Sequence, residues 1–245
     1  MKRLLEVCAG GLDSALAAAE GGAARIELCS GLADGGVTPS VGLIAAATAI
    51  KGLRTNVLIR LREGDFLYTP AEVEAMTADV EQCRRLGCNG VVIGALTPDG
   101  DPDLEACRTM MAAAGDMEVT FHRAFDLCRD PFSALEQLIE LGCHRILTSG
   151  QAASAMEGAA MLRELNYRAA GRIVILAGGG VNSGNAAELL RLTGVSELHA
   201  SARVSVPSAM RFRRGGVSMG VPGADEYSRK VTSAAEVAAI VACLG

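Results

Sequence analysis

Eight short runs rich in β-branched and apolar residues recur along the chain, and each is followed by a segment with helical spacing. The runs lie at 4–8, 25–29, 56–61, 90–96, 118–123, 145–149, 172–177 and 197–202. Strands that alternate with helices form parallel βαβ units. Eight such units close into a barrel, and a chain of 245 residues has the length of one such barrel. We therefore predict a single α/β domain over residues 1–245, a (β/α)8 TIM barrel.

One segment departs from the short connections of this pattern. Residues 203–230 follow the last predicted strand and carry several arginines and a Gly215-Gly216 pair. A segment of this length is typical of a functional loop or lid. It is equally consistent with a surface excursion or a subunit contact, and the sequence does not choose between them.

The composition argues against nucleic acid and membrane partners. The net charge is −5, and aromatic residues make up 3%, without the basic stripe that nucleic-acid binding needs. No apolar run approaches the ~18 residues of a membrane span. Glu6 and Asp13 interrupt any apolar region of an N-terminal signal sequence.

The eight cysteines show neither a C-x-x-C pair nor zinc spacing. We predict free thiols and a cytoplasmic location.

The first two strands each carry a Glu-x-Cys pattern. Glu6 and Cys8 share one face of strand 1, and Glu27 and Cys29 share one face of strand 2, because strand side chains alternate with period 2. Adjacent strands lie ~4.8 Å apart, so the two thiols are expected to be neighbours. They could bind a soft ion such as Cu(I), form a disulfide when oxidised, or pack as small buried side chains. Spacing alone favours packing.

Polar side chains also recur near the ends of later strands, where barrels of this class place their active sites. They are Arg60, Thr120, His122, Thr148, Ser149, Glu197, His199 and Ser201. Glu27, His122 and His199 are the candidate acid–base residues, and Glu6 and Arg60 are candidate ligand-binding residues. An alternative is a structural ion-pair network of Glu6, Glu27 and Arg60. So many ionisable groups at one end of a barrel favour a site.

A glycine run after strand 7 is a candidate anion site. Gly178, Gly179 and Gly180, together with Ser201 after strand 8, occupy the region where many barrels bind phosphate. Backbone N–H groups without side chains could hold the anion there. A tight turn explains the same glycines. Ser149, at the end of strand 6, is a further candidate ligand-binding residue.

Several segments of the chain resemble the CutC family of copper homeostasis proteins. They lie at 5–8, 25–31, 35–40, 59–60, 64–68, 119–126, 147–150 and 225–228, and the block Thr120-Phe121-His122-Arg123-Ala124-Phe125-Asp126 is the most specific. The resemblance implies a cytosolic TIM barrel that forms a homo-oligomer, a dimer or tetramer. It also implies a role in copper handling, with Cu(I) bound by the cysteines at positions 8 and 29.

The chain departs from the family at one point. Where the family has Arg-Pro-Arg, this sequence has Arg60-Leu61-Arg62. Loss of the proline is expected to loosen the turn above strand 3.

Two main functional hypotheses follow. The first is a copper homeostasis protein that binds Cu(I) through Cys8 and Cys29. The second is a barrel enzyme that acts on a small phosphorylated or carboxylated metabolite at the barrel mouth, since two cysteines do not account for Arg60, His122, His199 or the glycine run. A non-catalytic interaction barrel is a third alternative.

Overall fold

The computed structural model describes residues 3–217, 219 and 225–245, and its centre is a closed barrel of eight parallel strands. The predicted fold class is thereby confirmed. The strands are β1 Leu4–Ala9, β2 Arg25–Leu28, β3 Arg54–Leu58, β4 Gly90–Ile93, β5 Glu118–Phe121, β6 Arg145–Thr148, β7 Val174–Gly178 and β8 Glu197–Ala200. Strand β1 pairs with β2 on one side and with β8 on the other, which closes the barrel.

Eight helices surround the barrel. They are α1 Leu12–Glu20, α2 Val41–Thr48, α3 Pro70–Arg85, α4 Leu104–Ala114, α5 Pro131–Leu141, α6 Ala159–Ala169, α7 Ala186–Thr193 and α8 Ala234–Ala242. Helix α3 shows how the sequence sets a boundary: Thr69 accepts from the Glu72 N–H, the Glu72 side chain accepts from the Thr69 N–H, and Pro70 presets the first turn. None of the helices in the described residues is both long and apolar enough to cross a bilayer.

Alternation along the strands separates two buried environments. Leu5 and Val7 belong to the large apolar core that the helices cover. Cys8 and Cys29 belong to a small separate cluster with Leu58 and Val92. Glu6 and Cys8 alternate with Leu5 and Val7 along β1, so their side chains face the barrel interior. The Glu-x-Cys face of β2 lies inside the barrel in the same way.

The segment after β8 contains an antiparallel pair of strands, β9 Arg203–Pro207 and β10 Ser228–Thr232. The Thr232 N–H donates to Ser14 Oγ at 3.1 Å, and Arg229 pairs with Asp13, so β10 packs on α1. None of the described residues of this segment lines the cavity at the barrel mouth. Residues 218 and 220–224 of the predicted loop lie outside the described residues.

Candidate functional site

Two thiols meet inside the mouth of the barrel. Cys8 lies near the end of β1 and Cys29 follows β2, and their Sγ atoms are 3.8 Å apart. Cys8 is 8% exposed and Cys29 is fully buried. Gly36 lies against the pair: a Cβ there would lie 2.9 Å from Leu58 Cδ2 and 3.6 Å from Cys29 Cβ. The sequence prediction that the two thiols are neighbours is therefore correct.

A carboxylate and an imidazole adjoin this thiol pair. One ligand atom each of Cys8, Glu27 and His199 lies within 4.8 Å of the others. The His199 Nδ1 is 2.9 Å from Glu6 Oε1, and its Nε2 is 3.6 Å from Glu27 Oε2. We call Cys8, Cys29, Glu27 and His199 the thiol cluster. It contains the donor types that bind transition metals.

The charges of this cluster depend on one another. Burial by itself would lower the pKa of His199, but Glu27, Cys8 and Glu6 outweigh burial and raise that pKa well above its usual value. The pKa of Cys8 is raised by its hydrogen bond with Cys29 and by burial. Burial also raises the pKa of Glu27, despite the nearby His199. These shifts favour the protonated forms of the His199 imidazole and the Cys8 thiol.

A network of ion pairs inside the barrel connects to the thiol cluster through Glu6, which contacts His199. Arg25 binds both Glu6 and Glu197. Arg145 binds Glu197 at 2.9 Å and also binds Glu118 at 2.7 Å. The suggested ion-pair network of Glu6, Glu27 and Arg60 is wrong in its cation. The guanidinium partner of Glu6 is Arg25, and Arg60 donates to backbone carbonyls instead. Arg25 was not predicted as part of this network, although its position two residues before Glu27 on strand 2 places both side chains on the same face.

The carboxyl of Glu6 gives the pH dependence of stability a predicted sign. Burial would raise its pKa, but Arg25 and His199 outweigh burial and lower the pKa from 4.5 to about 2. The folded-state pKa lies below the unfolded one, so this group contributes stability above pH 4.5 that is lost as the pH falls toward 2. In metal-free protein, the unfolding free energy measured by denaturant between pH 5 and pH 3 should fall less steeply in Glu6→Gln. We expect the difference in slope to reach up to about 1.4 kcal/mol per pH unit. Equal slopes would show that Glu6 titrates normally.

Arg60 is occupied mainly by the backbone. Its Nη1 donates to the carbonyls of Asp34 at 2.9 Å and Gly36 at 2.8 Å, and its Nη2 donates to that of Gly64 at 2.9 Å. The guanidinium thus joins the loop after β2 to the turn after β3. Arg62 binds Glu72 and further carbonyls of the same turn. Two guanidinium groups therefore hold the turn above strand 3, where this chain lacks the family's proline.

His122 caps the turn that follows β5. Its Nδ1 accepts from the Ala124 N–H at 3.1 Å. Its ring packs against Phe66, with the ring centroids 4.8 Å apart. Burial and the positive charge of Arg60 lower the pKa of His122 to about 3. His122 is therefore neutral at physiological pH.

The other predicted site residues have different surroundings. Ser149 belongs to a hydrogen-bond network around the Asp126 carboxylate. A Cβ on Gly178 would lie 2.6 Å from Leu147 Cδ1, and Gly179 has a φ of +104°, so local packing and backbone conformation favour glycine at these two positions. The Ser201 carbonyl accepts from Thr232. None of these four lines the mouth cavity among the described residues.

A cavity of about 350 Å³ opens at this mouth. It brings together five of the predicted residues, namely Cys8, Glu27, Arg60, His122 and His199. Phe66, Arg123 and Asp126 also line it. The sequence did not single out Arg123 and Asp126 as site residues, although both belong to the specific block at 120–126. The cavity therefore combines thiol, carboxylate, imidazole and guanidinium groups with an apolar wall.

These features define a (β/α)8 barrel protein with a thiol, carboxylate and imidazole cluster at the mouth. The model of the CutC family matches residues 3–204. The chain belongs to the CutC family, as the sequence resemblance predicted.

Its relatives carry the same family name. Family protein CutC of Chromobacterium violaceum is 55% identical over 240 residues, covering 98% of this chain and 97% of that protein. The copper homeostasis protein cutC homolog of Mus musculus is 47% identical, covering 96% of this chain and 86% of that protein. A crystal structure of CutC from Streptococcus agalactiae, described as a copper homeostasis protein, is 33% identical. It superposes with a TM-score of 0.78 over 81% of this chain and 98% of that one.

Proposed function

We propose that this protein handles copper by binding one Cu(I) ion through Cys8 and Cys29. The observation that carries the proposal is the 3.8 Å separation of two buried thiols, one on β1 and the other directly after the adjacent strand β2. Soft thiolate ligands select Cu(I) over harder ions. The names of the relatives from mouse and Streptococcus agalactiae refer to copper homeostasis, which supports the same function.

The remainder of the thiol cluster fits this role. His199 and Glu27 each place a ligand atom close to Cys8, so either side chain could add a third ligand. Metal binding requires thiolates, and the raised pKa of Cys8 means that binding releases protons. His199 acts in the opposite direction, because its hydrogen bond to Cys8 favours the thiolate.

An anaerobic Cu(I) competition titration tests the proposal. We expect the wild type to bind one equivalent, and we expect Cys8→Ser/Cys29→Ser to lose that affinity by about a hundredfold or more, because both sulfur ligands are removed. Cys83→Ser/Cys88→Ser is the matched control, since those cysteines are also buried neighbours. Equal affinities in the two double variants would contradict the proposal and reduce Cys8 and Cys29 to packing residues.

We also propose a cytoplasmic location and a homo-oligomeric assembly, a dimer or tetramer. All eight cysteines are free thiols in the structure, which supports a reducing compartment. The assembly rests on the family resemblance, and a mass measurement by light scattering that gives a monomer would reject it.

A second candidate function is an enzyme that acts on a small phosphorylated or carboxylated metabolite. The mouth cavity favours it, because Glu27, Arg60, His122 and His199 line one concave space. Glu27 and His199 are the acid–base candidates there. His122 does not fit the role of general base, since its pKa of about 3 makes it a poor proton acceptor at neutral pH.

A further inference from the structure

The tautomer of His122 follows from its hydrogen bonds. The Ala124 backbone N–H donates to Nδ1 at 3.1 Å, so Nδ1 carries the lone pair. The ring is neutral, so its single proton is on Nε2. His122 is 4% exposed, and Nε2 has no hydrogen-bond partner among the described residues. A buried N–H donor without a partner costs free energy, and His122 lines the mouth cavity.

Arg60 presents a second donor of the same kind. It is 7% exposed, and its Nε has no partner within the described part of the chain. Three backbone carbonyls hold the other nitrogens of this guanidinium and thereby fix its orientation. Both groups pack on Phe66: the Arg60 Cζ is 5.2 Å from the ring centroid, and the His122 ring centroid is 4.8 Å from it. Arg60 and His122 therefore form one wall of the cavity.

We propose that the mouth cavity binds the carboxylate of a small organic acid through the Nε2–H of His122 and the Nε–H of Arg60. This inference rests on the second candidate function and deepens it. Cys8, Glu27 and His199 of the thiol cluster line the same cavity, but neither of the two proposed donors belongs to that cluster. A carboxylate has two acceptor oxygens, one for each of these unpartnered donors, and the positive charge of the Arg60 guanidinium strengthens the bond that it makes. The apolar part of the acid lies against Leu58, Phe66, Leu127 and Leu147, which also line the cavity.

The same geometry disfavours a phosphate. The glycine run after β7, which would supply backbone N–H groups to a phosphate, does not line the cavity. Glu27 and Asp126 do line it, and their carboxylates repel a dianion more strongly than a monoanion. The cavity therefore suits a monocarboxylate with a short apolar body.

The test uses sodium isobutyrate as the probe and the histidine side chains as reporters. The chain has three histidines, so long-range ¹H–¹⁵N spectra of the full protein resolve each ring. We expect His122 to show a protonated Nε2 and an unprotonated Nδ1 at neutral pH. We also expect isobutyrate to shift the Nε2 signal with saturation. A protonated Nδ1, no shift with isobutyrate, or tighter binding of inorganic phosphate would each overturn the proposal.

Two variants of His122 distinguish its role as a donor at Nε2 from its role as an acceptor for the Ala124 N–H. His122→Asn keeps an acceptor for the Ala124 N–H but lacks the donor at Nε2, so isobutyrate affinity should fall at least about tenfold. His122→Gln places an amide N–H near the former Nε2 and should retain affinity within about threefold. The opposite order would overturn the proposal. If neither variant folds, the tautomer and the isobutyrate titration of the wild type decide. Because binding is measured without turnover or copper, failure of this inference is distinguishable from failure of the enzymatic or copper-binding function.

Discussion

Replacing Arg25 by methionine is expected to lower the free energy of unfolding by about 3–5 kcal/mol. The side chain of Arg25 is fully buried inside the barrel, where it neutralises Glu6 and Glu197. Methionine fills a similar volume but removes one positive partner from each of two buried carboxylates, which leaves Glu197 with Arg145 and Glu6 with His199. The cost arises from the charges left behind more than from the lost attraction, and equilibrium denaturation by urea measures it.

Two controls test this reason. Arg25→Met/Glu6→Gln removes one of the stranded charges as well, so it should recover a substantial part of the loss. Arg172→Met breaks the bidentate pair with Glu136 on the surface and should have a much smaller effect, because water screens both groups. Equal losses for Arg25→Met and Arg172→Met would show that the buried network contributes no more than a surface pair.

The barrel was predictable because its signals are local. Strand periodicity and helix caps lie within short windows of sequence, and they located all eight strands. The boundaries failed where burial continues beyond the paired backbone. Ile59 and Ala95 are fully buried but follow the ends of β3 and β4, so their apolar character was interpreted as strand. Burial, and not β pairing, produces that pattern.

The site was predictable only in part. Period-2 alternation placed Cys8 and Cys29 together, since adjacent strands bring in-phase residues close. The roles of Arg60 and His122 were not predictable, because their partners are backbone groups of loops, and a sequence pattern does not show where a loop carbonyl or N–H points. The β9–β10 pair was missed for a related reason: its residues are mostly exposed, so they show no clear alternation.

A second large effect is expected at Gly158, which precedes helix α6. A Cβ at this position would lie 1.9 Å from the Ser149 carbonyl oxygen, 2.9 Å from its carbonyl carbon and 3.1 Å from Gly150 Cα. All three atoms belong to the backbone, so no side-chain rotation can relieve the contact. Gly158→Ala should therefore lower the unfolding free energy by about 3 kcal/mol or more. Gly42→Ala is the control, because nothing lies within 4 Å of a Cβ there and alanine in helix α2 should stabilise by about 0.4–1 kcal/mol.

The Gly158 substitution should also alter the mouth of the barrel selectively. The Ser149 N–H donates to Asp126 at 3.1 Å, and Asp126 accepts from Arg123 Nε at 2.7 Å. Displacement of Ser149 therefore moves Arg123, which lines the cavity. Cys8 and Cys29 lie on β1 and beside β2, away from this loop. In Gly158→Ala that remains folded, isobutyrate affinity should fall while Cu(I) affinity stays at the wild-type value. If both affinities fell together, the disturbance would not be confined to the Asp126–Arg123 side of the mouth, and the expected selectivity would be wrong.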